Sequence, residues 1–267
     1  MELRFAKYQG TGNDFILIDN RDGVITLNRA QVAWLCHRRF GIGADGLMLL
    51  ETAPGADFRM VYFNSDGGES TMCGNGGRCI AAFARRLSAV ADNARFIAID
   101  GLHEASFGAG DLVSLQMQDV TGIRHFDDHS LLDTGSPHYV AWVADTSTVP
   151  VFGEGRRIRN LPEFAPSGLN VNFTTVESDH ALRVRTYERG VEDETYSCGT
   201  GVTAAAIAHS GTRTGSFDIS ISTPGGQLRV RYEKDSADAA HDVFLEGPAS
   251  FVFEGTIRVP QDLPMLT

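Results

Sequence analysis

Tyr62-Phe63-Asn64-Ser65-Asp66-Gly67-Gly68-Glu69-Ser70-Thr71-Met72-Cys73-Gly74-Asn75-Gly76 and Tyr187-Glu188-Arg189-Gly190-Val191-Glu192-Asp193-Glu194-Thr195-Tyr196-Ser197-Cys198-Gly199-Thr200-Gly201 are two copies of one plan. Tyr, Glu, Cys and two Gly recur at a single offset. Each copy reads as a strand, a polar loop, a Cys-Gly-x-Gly turn and an alanine-rich helix. Weaker echoes keep nearly the same spacing: Gly12-Asn13-Asp14-Phe15 falls opposite Gly135-Ser136-Pro137-His138, and Asp100-Gly101 opposite Pro224-Gly225. Elements that share one offset across half a chain mark an internal repeat. The expected fold is therefore α+β, with two pseudo-symmetric lobes. Each lobe is a curved, mainly antiparallel sheet or barrel around a central helix. Residues 1–119 form the lobe that carries Cys73, joined by a returning C-terminal segment, 255–267. Residues 120–254 form the lobe that carries Cys198.

Short alternating apolar runs predict strands over 5–8, 15–19, 47–50, 58–63, 112–117, 139–143, 182–187, 228–232 and 243–245. Three stretches read as helices. Asn28 caps one from Arg29 to about Phe40, and the others run over 74–87 and 199–209.

Composition narrows the function. The chain has 267 residues, 42% hydrophobic and 21% charged, which suits a globular protein with a sizeable core. No apolar run approaches the ~20 residues that cross a bilayer. The N-terminus lacks the apolar stretch of a signal peptide, so the expected location is the cytoplasm. A net charge of −11 disfavours nucleic acid and anionic membranes as partners. Lys7 and Lys234 are the only lysines among 23 basic residues, and neither reads as the buried Schiff-base lysine of a pyridoxal-phosphate enzyme. The four cysteines, Cys36, Cys73, Cys79 and Cys198, include no C-x-x-C pair, so no metal site is expected.

Two of those cysteines stand directly before glycine-rich helix starts. The first N–H groups of a helix lack internal partners, and the helix dipole places partial positive charge there. A carboxylate or a thiolate is stabilised at such a position. Two related helix starts facing one another would hold one carboxylate and present a sulfur to each face of the carbon that bears it. Racemisation needs that arrangement. A thiolate removes the α-proton from one face, and a thiol returns a proton from the other. The enediolate formed between those steps is stabilised by the N–H groups around the carboxylate. Cysteine suits the work because its reference pKa of ~8.5 falls at a helix N-terminus. An isolated pair of such thiols would more often be packing residues; the matched context reverses that expectation.

At these residues the chain resembles the diaminopimelate epimerase family, a relative of proline racemases and phenazine-pathway isomerases. The resemblance rests on Gly10-Thr11-Gly12-Asn13-Asp14-Phe15, Gly41-Ile42-Gly43-Ala44-Asp45-Gly46, Phe63-Asn64-Ser65-Asp66-Gly67 and, most specifically, Met72-Cys73-Gly74-Asn75-Gly76-Gly77-Arg78-Cys79. It continues through Gly135-Ser136-Pro137-His138, Asn170-Val171-Asn172-Phe173, Tyr187-Glu188-Arg189-Gly190 and Ser197-Cys198-Gly199-Thr200-Gly201. It implies a homodimeric isomerase without a cofactor that interconverts LL- and meso-diaminopimelate on the route to lysine and peptidoglycan. Matched by position, Cys73 and Cys198 are the acid–base pair, with His138 and Glu188 beside them. Asn13, Asn64, Gly74, Asn75, Ser136, Asn170, Glu188, Arg189, Gly199 and Thr200 would bind substrate. Ser136 departs from the family's usual Gly-Asn-Pro-His. That departure keeps open a racemase of another amino acid, such as histidine. A phenazine-type isomerase would lack the cysteine pair. A non-catalytic anion-binding module would bind diaminopimelate without exchanging its α-proton.

Other motifs read as structure. Gly41-x-Gly43-x-x-Gly46 follows a helix and precedes a strand, the reverse of a dinucleotide-binding context, so it is read as a turn. Cys79 points away from Cys73 and is expected in the core, and Cys36-His37 is expected either to pack or to lie at the surface. Glu192-Asp193-Glu194 reads as a solvated loop, although Glu194 aligns with Glu69 and so is a candidate for holding the loop before each cysteine.

Overall fold

The computed structural model describes residues 1–260. The chain divides into two compact units, the first of Met1–Leu115 with residues 248–260, the second of Gln116–Gly247. The sequence reading divides the chain at 119/120 and 254/255. Of its returning segment, 261–267 lies outside the described residues.

The first unit contains β1 (Glu2–Gly10), β2 (Asn13–Asp19), α1 (Arg29–Cys36), β3 (Gly46–Glu51), β4 (Phe58–Asn64), α2 (Gly74–Arg86), β5 (Asn93–Ala98), β6 (Gly101–Phe107) and β7 (Leu112–Gln116). The second contains β8 (Val120–Thr121), β9 (Arg124–His125), β10 (His129–Asp133), β11 (Pro137–Trp142), a 3-10 turn (Thr146–Thr148) and α3 (Val151–Arg159). It continues through β12 (Asn170–Ser178), β13 (Ala181–Glu188), β14 (Asp193–Thr195), α4 (Gly199–His209), β15 (Gly215–Thr223), β16 (Gly226–Ser236) and β17 (Ala239–Pro248). The last strand, β18 (Ser250–Arg258), pairs with β1 of the first unit.

The repeat in sequence is a repeat in topology. In the first unit β18, β1 and β2 pair antiparallel in turn; β2–β3 is parallel, β3–β4 antiparallel and β4–β5 parallel; β5–β6 and β6–β7 are antiparallel. In the second unit β9, β10 and β11 pair antiparallel; β11–β12 is parallel, β12–β13 antiparallel and β13–β15 parallel; β15–β16 and β16–β17 are antiparallel. The two series have the same sense at every step. Each parallel step needs a crossover longer than a hairpin. Helices α1 and α2 lie within the two crossovers of the first unit, and α3 and α4 within those of the second. The fold is thus sheet-dominated α+β with mainly antiparallel pairing.

Helices α2 and α4 are buried along most of their length, Gly74–Ala81 without interruption in one and Val202–Ala208 in the other. Most of these side chains are small: glycine, alanine, cysteine or threonine. A helix enclosed by sheet needs short side chains all round rather than one apolar stripe. Helix α1 lies elsewhere, covering a core of Leu3, Ile16, Ile18, Leu47, Leu49 and Val61.

Three expectations are corrected. Helix α1 starts as read, with a capping box between Asn28 and Gln31, but ends at Cys36 rather than near Phe40. Gly41 lies so close to the helix that a Cβ there would sit 2.0 Å from the Trp34 carbonyl oxygen. This fold-back lets the Ile42 and Gly43 N–H groups donate to the Leu35 carbonyl (2.9 and 3.1 Å) and Ala44 to that of Cys36 (2.9 Å), so the last helical carbonyls are capped from the next loop. Helix α3 has no counterpart in the sequence reading. Gly153 and Gly155 weaken its local signal, yet Gly155 is required, because a Cβ there would lie 2.3 Å from Tyr187 Cβ. Both lysines are buried, against expectation. Lys7 pairs with Asp14 at 2.7 Å and donates to the Gly43 carbonyl, while Lys234 donates to the carbonyls of Gly211 and Ala237 (2.7 and 3.2 Å).

Candidate active site

In the first unit, Cys73 is the N-cap of α2, with extended backbone, and its Sγ accepts the Gly76 N–H at 3.2 Å. At Gly76 a Cβ would lie 2.6 Å from the Met48 methyl and 3.1 Å from the sulfur itself, so a side chain there would have to displace the Met48 end and crowd the thiol. The buried Asn75 side chain donates to Asn13 Oδ1 (3.3 Å) and accepts from Arg78 Nη2 (3.0 Å). Asn13 in turn donates to Asp45 Oδ2 (2.7 Å). Asp45 shares Arg38 with Asp14, both at 2.7 Å, and Asp14 reaches Lys7. Burial pushes the Asp14 carboxyl up, but hydrogen bonds from Arg38 and Lys7 outweigh it and bring the pKa to about 2. The β1–β2 turn that bears Asn13 is therefore tied to the start of α2 on one side and to a charge network on the other. Asn64 pairs in register with Gly46, the residue after Asp45. It is exposed and opens the turn that ends β4, where its carbonyl accepts the Gly67 N–H (2.9 Å).

Arg78 carries a role that the sequence reading does not assign. It is fully buried and donates to the Gly74 carbonyl (3.2 Å) and to Asn75, but among the described residues no carboxylate pairs with it. Burial lowers its pKa to about 10, and the neighbouring Cys79 and Cys73 act in the opposite sense. A cation thus lies one helical turn behind the Cys73 cap. Cys79 and Cys36 are core residues, each pushed up to about 12 by burial.

In the second unit, Cys198 is the N-cap of α4, 6% exposed, with Sγ 3.4 Å from the Thr200 hydroxyl. Thr134 donates to the Thr200 carbonyl (2.9 Å), which ties the β10–β11 turn to the helix start. That turn holds Ser136, whose carbonyl accepts the Thr134 N–H (3.2 Å). Two residues on, His138 is 1% exposed and pairs in register with Asn170 of β12. Its Nδ1 lies 3.0 Å from Asn172 Nδ2, and its Nε2 has no hydrogen-bond partner among the described residues. Burial, assisted by the charge of Arg189, lowers its pKa to about 3, so the ring is neutral. Asn170 Oδ1 accepts the Arg189 N–H (2.8 Å), and Thr195 donates to Glu188 Oε2 (3.0 Å). The Arg189 guanidinium makes no ion pair among the described residues, which leaves its planar fork available to a carboxylate.

The acidic run after Arg189 is exposed at Glu192 and Asp193, in keeping with the solvated reading, but Asp193–Thr195 forms β14 and both glutamates make ion pairs. Glu192 accepts from Tyr187 Oη (3.1 Å), Arg159 Nε (3.0 Å) and the Gly190 N–H (3.1 Å). Glu194 takes a bidentate pair from Arg185 at 2.6 and 2.7 Å, and Arg185 also donates to the Thr146 and Val149 carbonyls. These acids find their partners across the β13–β14 hairpin and on α3, where a reading of local charge does not look. In the first unit Glu69 makes an isolated antiparallel bridge to Phe63, one residue out of register with the Glu194–Tyr187 pair. Asn172 and Thr186 are also absent from the sequence-predicted site. The signal for Asn172 was its spacing: two asparagines two apart on a buried strand share one face.

No group of three or more His, Cys, Asp or Glu among the described residues is arranged to hold a metal. No described helix is long and apolar enough to cross a membrane.

The family model for diaminopimelate epimerase matches residues 5–106 and 130–252. A diaminopimelate epimerase of Flavobacterium psychrophilum is 50% identical over 96% of this chain and 100% of its own. One from Chlorobaculum tepidum is 43% identical over 94% and 99%. Among solved structures, a Bacillus anthracis phenazine biosynthesis protein of the PhzF family superposes with TM-score 0.78 at 13% identity, covering 97% of this chain and 100% of that one. A hydroxyproline epimerase from Agrobacterium vitis gives 0.67 at 17%, covering 99% and 94%. These two structures share the fold.

Two expectations follow from the thiols and from His138. Under reducing conditions iodoacetamide should modify Cys73 and then Cys198, while Cys36 and Cys79 react only after unfolding; mass spectrometry of the native protein that found Cys36 or Cys79 alkylated first would contradict this. Because the folded pKa of His138, about 3, lies below its unfolded value of 6.5, the unfolded chain binds the proton first on acidification. The stability that the neutral ring contributes is present above pH 6.5 and lost as pH falls from 6.5 towards 3. His138→Gln should make that acid-side loss shallower in denaturant titrations, and an unchanged slope would contradict the assignment.

Proposed function

The chain belongs to the diaminopimelate epimerase family, and from that premise we propose that it epimerises LL-2,6-diaminopimelate to meso-diaminopimelate through an exchange of protons at Cys73 and Cys198. It is an isomerase of lysine and peptidoglycan precursor biosynthesis. The mechanism is carried by one observation made twice: each unit places a cysteine at the N-cap of its most buried helix.

In the forward direction one sulfur, as thiolate, takes the α-proton. The C–H electron pair passes into the carboxylate to give an enediolate, and the S–H bond forms. The thiol of the other cysteine then protonates the opposite face, and the enediolate electrons return to carbon. Protons balance, and nothing is oxidised or reduced, so the cycle requires no cofactor. The N–H groups at Gly74, Asn75, Gly199 and Thr200 are the donors for the growing negative charge. The neutral His138 and Glu188 stand beside the reacting carbon. Asn13, Asn64, Ser136, Asn170 and Arg189 hold the remaining polar groups of the substrate, with the Arg189 guanidinium on a carboxylate.

The working form is a homodimer in the cytoplasm. Four free cysteines suit a reducing compartment. Phe251, Val252 and Phe253 lie exposed side by side on β18 and supply apolar area for a second copy.

In deuterated water with LL-diaminopimelate, the wild-type protein should place solvent deuterium at the α-carbon as the meso form accumulates. Cys73→Ala and Cys198→Ala should each lose at least ~10²-fold in epimerisation while keeping the wild-type circular dichroism; full activity in either would refute the two-base reading. Light scattering should report a dimer that Phe253→Asp converts to monomer, and a wild-type monomer would sink the homodimer proposal.

A further inference from the structure

His138 has two ring nitrogens in different situations, and the difference is set by one side chain. Asn172 lies on β12 and is fully buried. Its amide is used on both sides. Thr186 Oγ1 donates to Asn172 Oδ1 (2.9 Å), and Asn172 Nδ2 lies 3.2 Å from the Tyr139 carbonyl and 3.0 Å from His138 Nδ1. The Tyr139 carbonyl can only accept, so it fixes the orientation of the amide: flipping it would set two acceptor oxygens against each other. With Nδ2 in place, its second proton meets His138 Nδ1, and that nitrogen has to be the acceptor. A neutral imidazole whose Nδ1 accepts carries its proton on Nε2.

Nε2 is the buried atom that lacks a partner among the described residues. An enclosed donor left without an acceptor costs about 1–3 kcal/mol, a cost that an incoming acceptor relieves. The charge of Arg189 is felt at this ring, so the acceptor favoured there is an anion. Resting on the epimerase reading above, we propose that Asn172 is a positioning residue that locks His138 in the Nε2–H tautomer, so that the imidazole serves the reaction as a neutral hydrogen-bond donor to the substrate's carboxylate and not as a base. A carboxylate that becomes an enediolate gains negative charge, so a donor fixed in advance is worth more in the transition state than in the ground state. Packing supports the same assignment. A Cβ at Gly201 would lie 2.3 Å from Asn172 Oδ1, so the first turn of α4 admits this amide only because residue 201 is glycine.

The test is long-range proton–nitrogen NMR on protein labelled with nitrogen-15 in its histidines, with the His138 signals assigned by their loss in His138→Gln. In the wild type, Nε2 should be protonated and Nδ1 should not. Asn172→Asp, close in shape, replaces the donor by an acceptor and should move the proton to Nδ1, with kcat falling about 10- to 100-fold and KM changing far less. Thr186→Val, which leaves the Tyr139 contact intact, should keep the Nε2–H tautomer. An Nδ1–H signal in the wild type would overturn the proposal without any variant, so a folding failure of Asn172→Asp would not protect it. So would an Asn172→Asp protein that kept both the tautomer and kcat. Failure of wild-type protein to exchange the α-proton of diaminopimelate would instead overturn the epimerase reading and leave the tautomer result standing.

Discussion

A helix largely enclosed by a sheet still has to satisfy its first N–H groups, and its burial leaves little room for water to do so. Helices α2 and α4 are in this position. Their N-termini therefore demand acceptors from the chain or from a ligand, and the glycines that follow each cap keep the approach open. In α2 the first acceptor is a sulfur, Cys73 Sγ on the Gly76 N–H. The burial that makes these helix starts chemically needy also makes them selective, because a small anion with two oxygens can meet several N–H groups at once. The surrounding apparatus follows from holding those starts in place: Asn13 braces Asn75, and Thr134 braces Thr200.

The repeat made the two helix starts legible, because chance does not readily write Cys-Gly-x-Gly twice within two matched strand–loop–helix segments. It also held information left unused. The crossover that contains α1 implies a partner crossover in the second unit, where α3 lies, although the two glycines of α3 hide it from local propensity. The end of α1 was illegible for a different reason. Its last carbonyls are capped by residues 42–44, so the stop signal is a tertiary contact made possible by Gly41. The ion pairs of Lys7, Glu192 and Glu194 escaped a local reading because a charge reads as solvated until its counterion is known. Asp14 lies across a hairpin, and Arg159 and Arg185 lie on other elements.

The division of labour inside each unit differs, although the topology does not. Behind Cys73 stands a cation, Arg78, with an amide relay through Asn75 to Asn13. Beside Cys198 stands a neutral polar cluster of His138, Asn172 and Thr186, with Thr200 at the sulfur. The two units thus give their two N-cap thiols unlike environments.

Arg78 is wholly enclosed, and no carboxylate among the described residues accompanies it. Dissolved ions cannot gather around a charge that they cannot reach, and the Debye cloud that weakens surface attractions over about 10 Å at 0.1 M forms only in solvent. An anion placed at the neighbouring helix start would therefore feel a pull from this guanidinium that added salt weakens less than it weakens the attractions of exposed arginines.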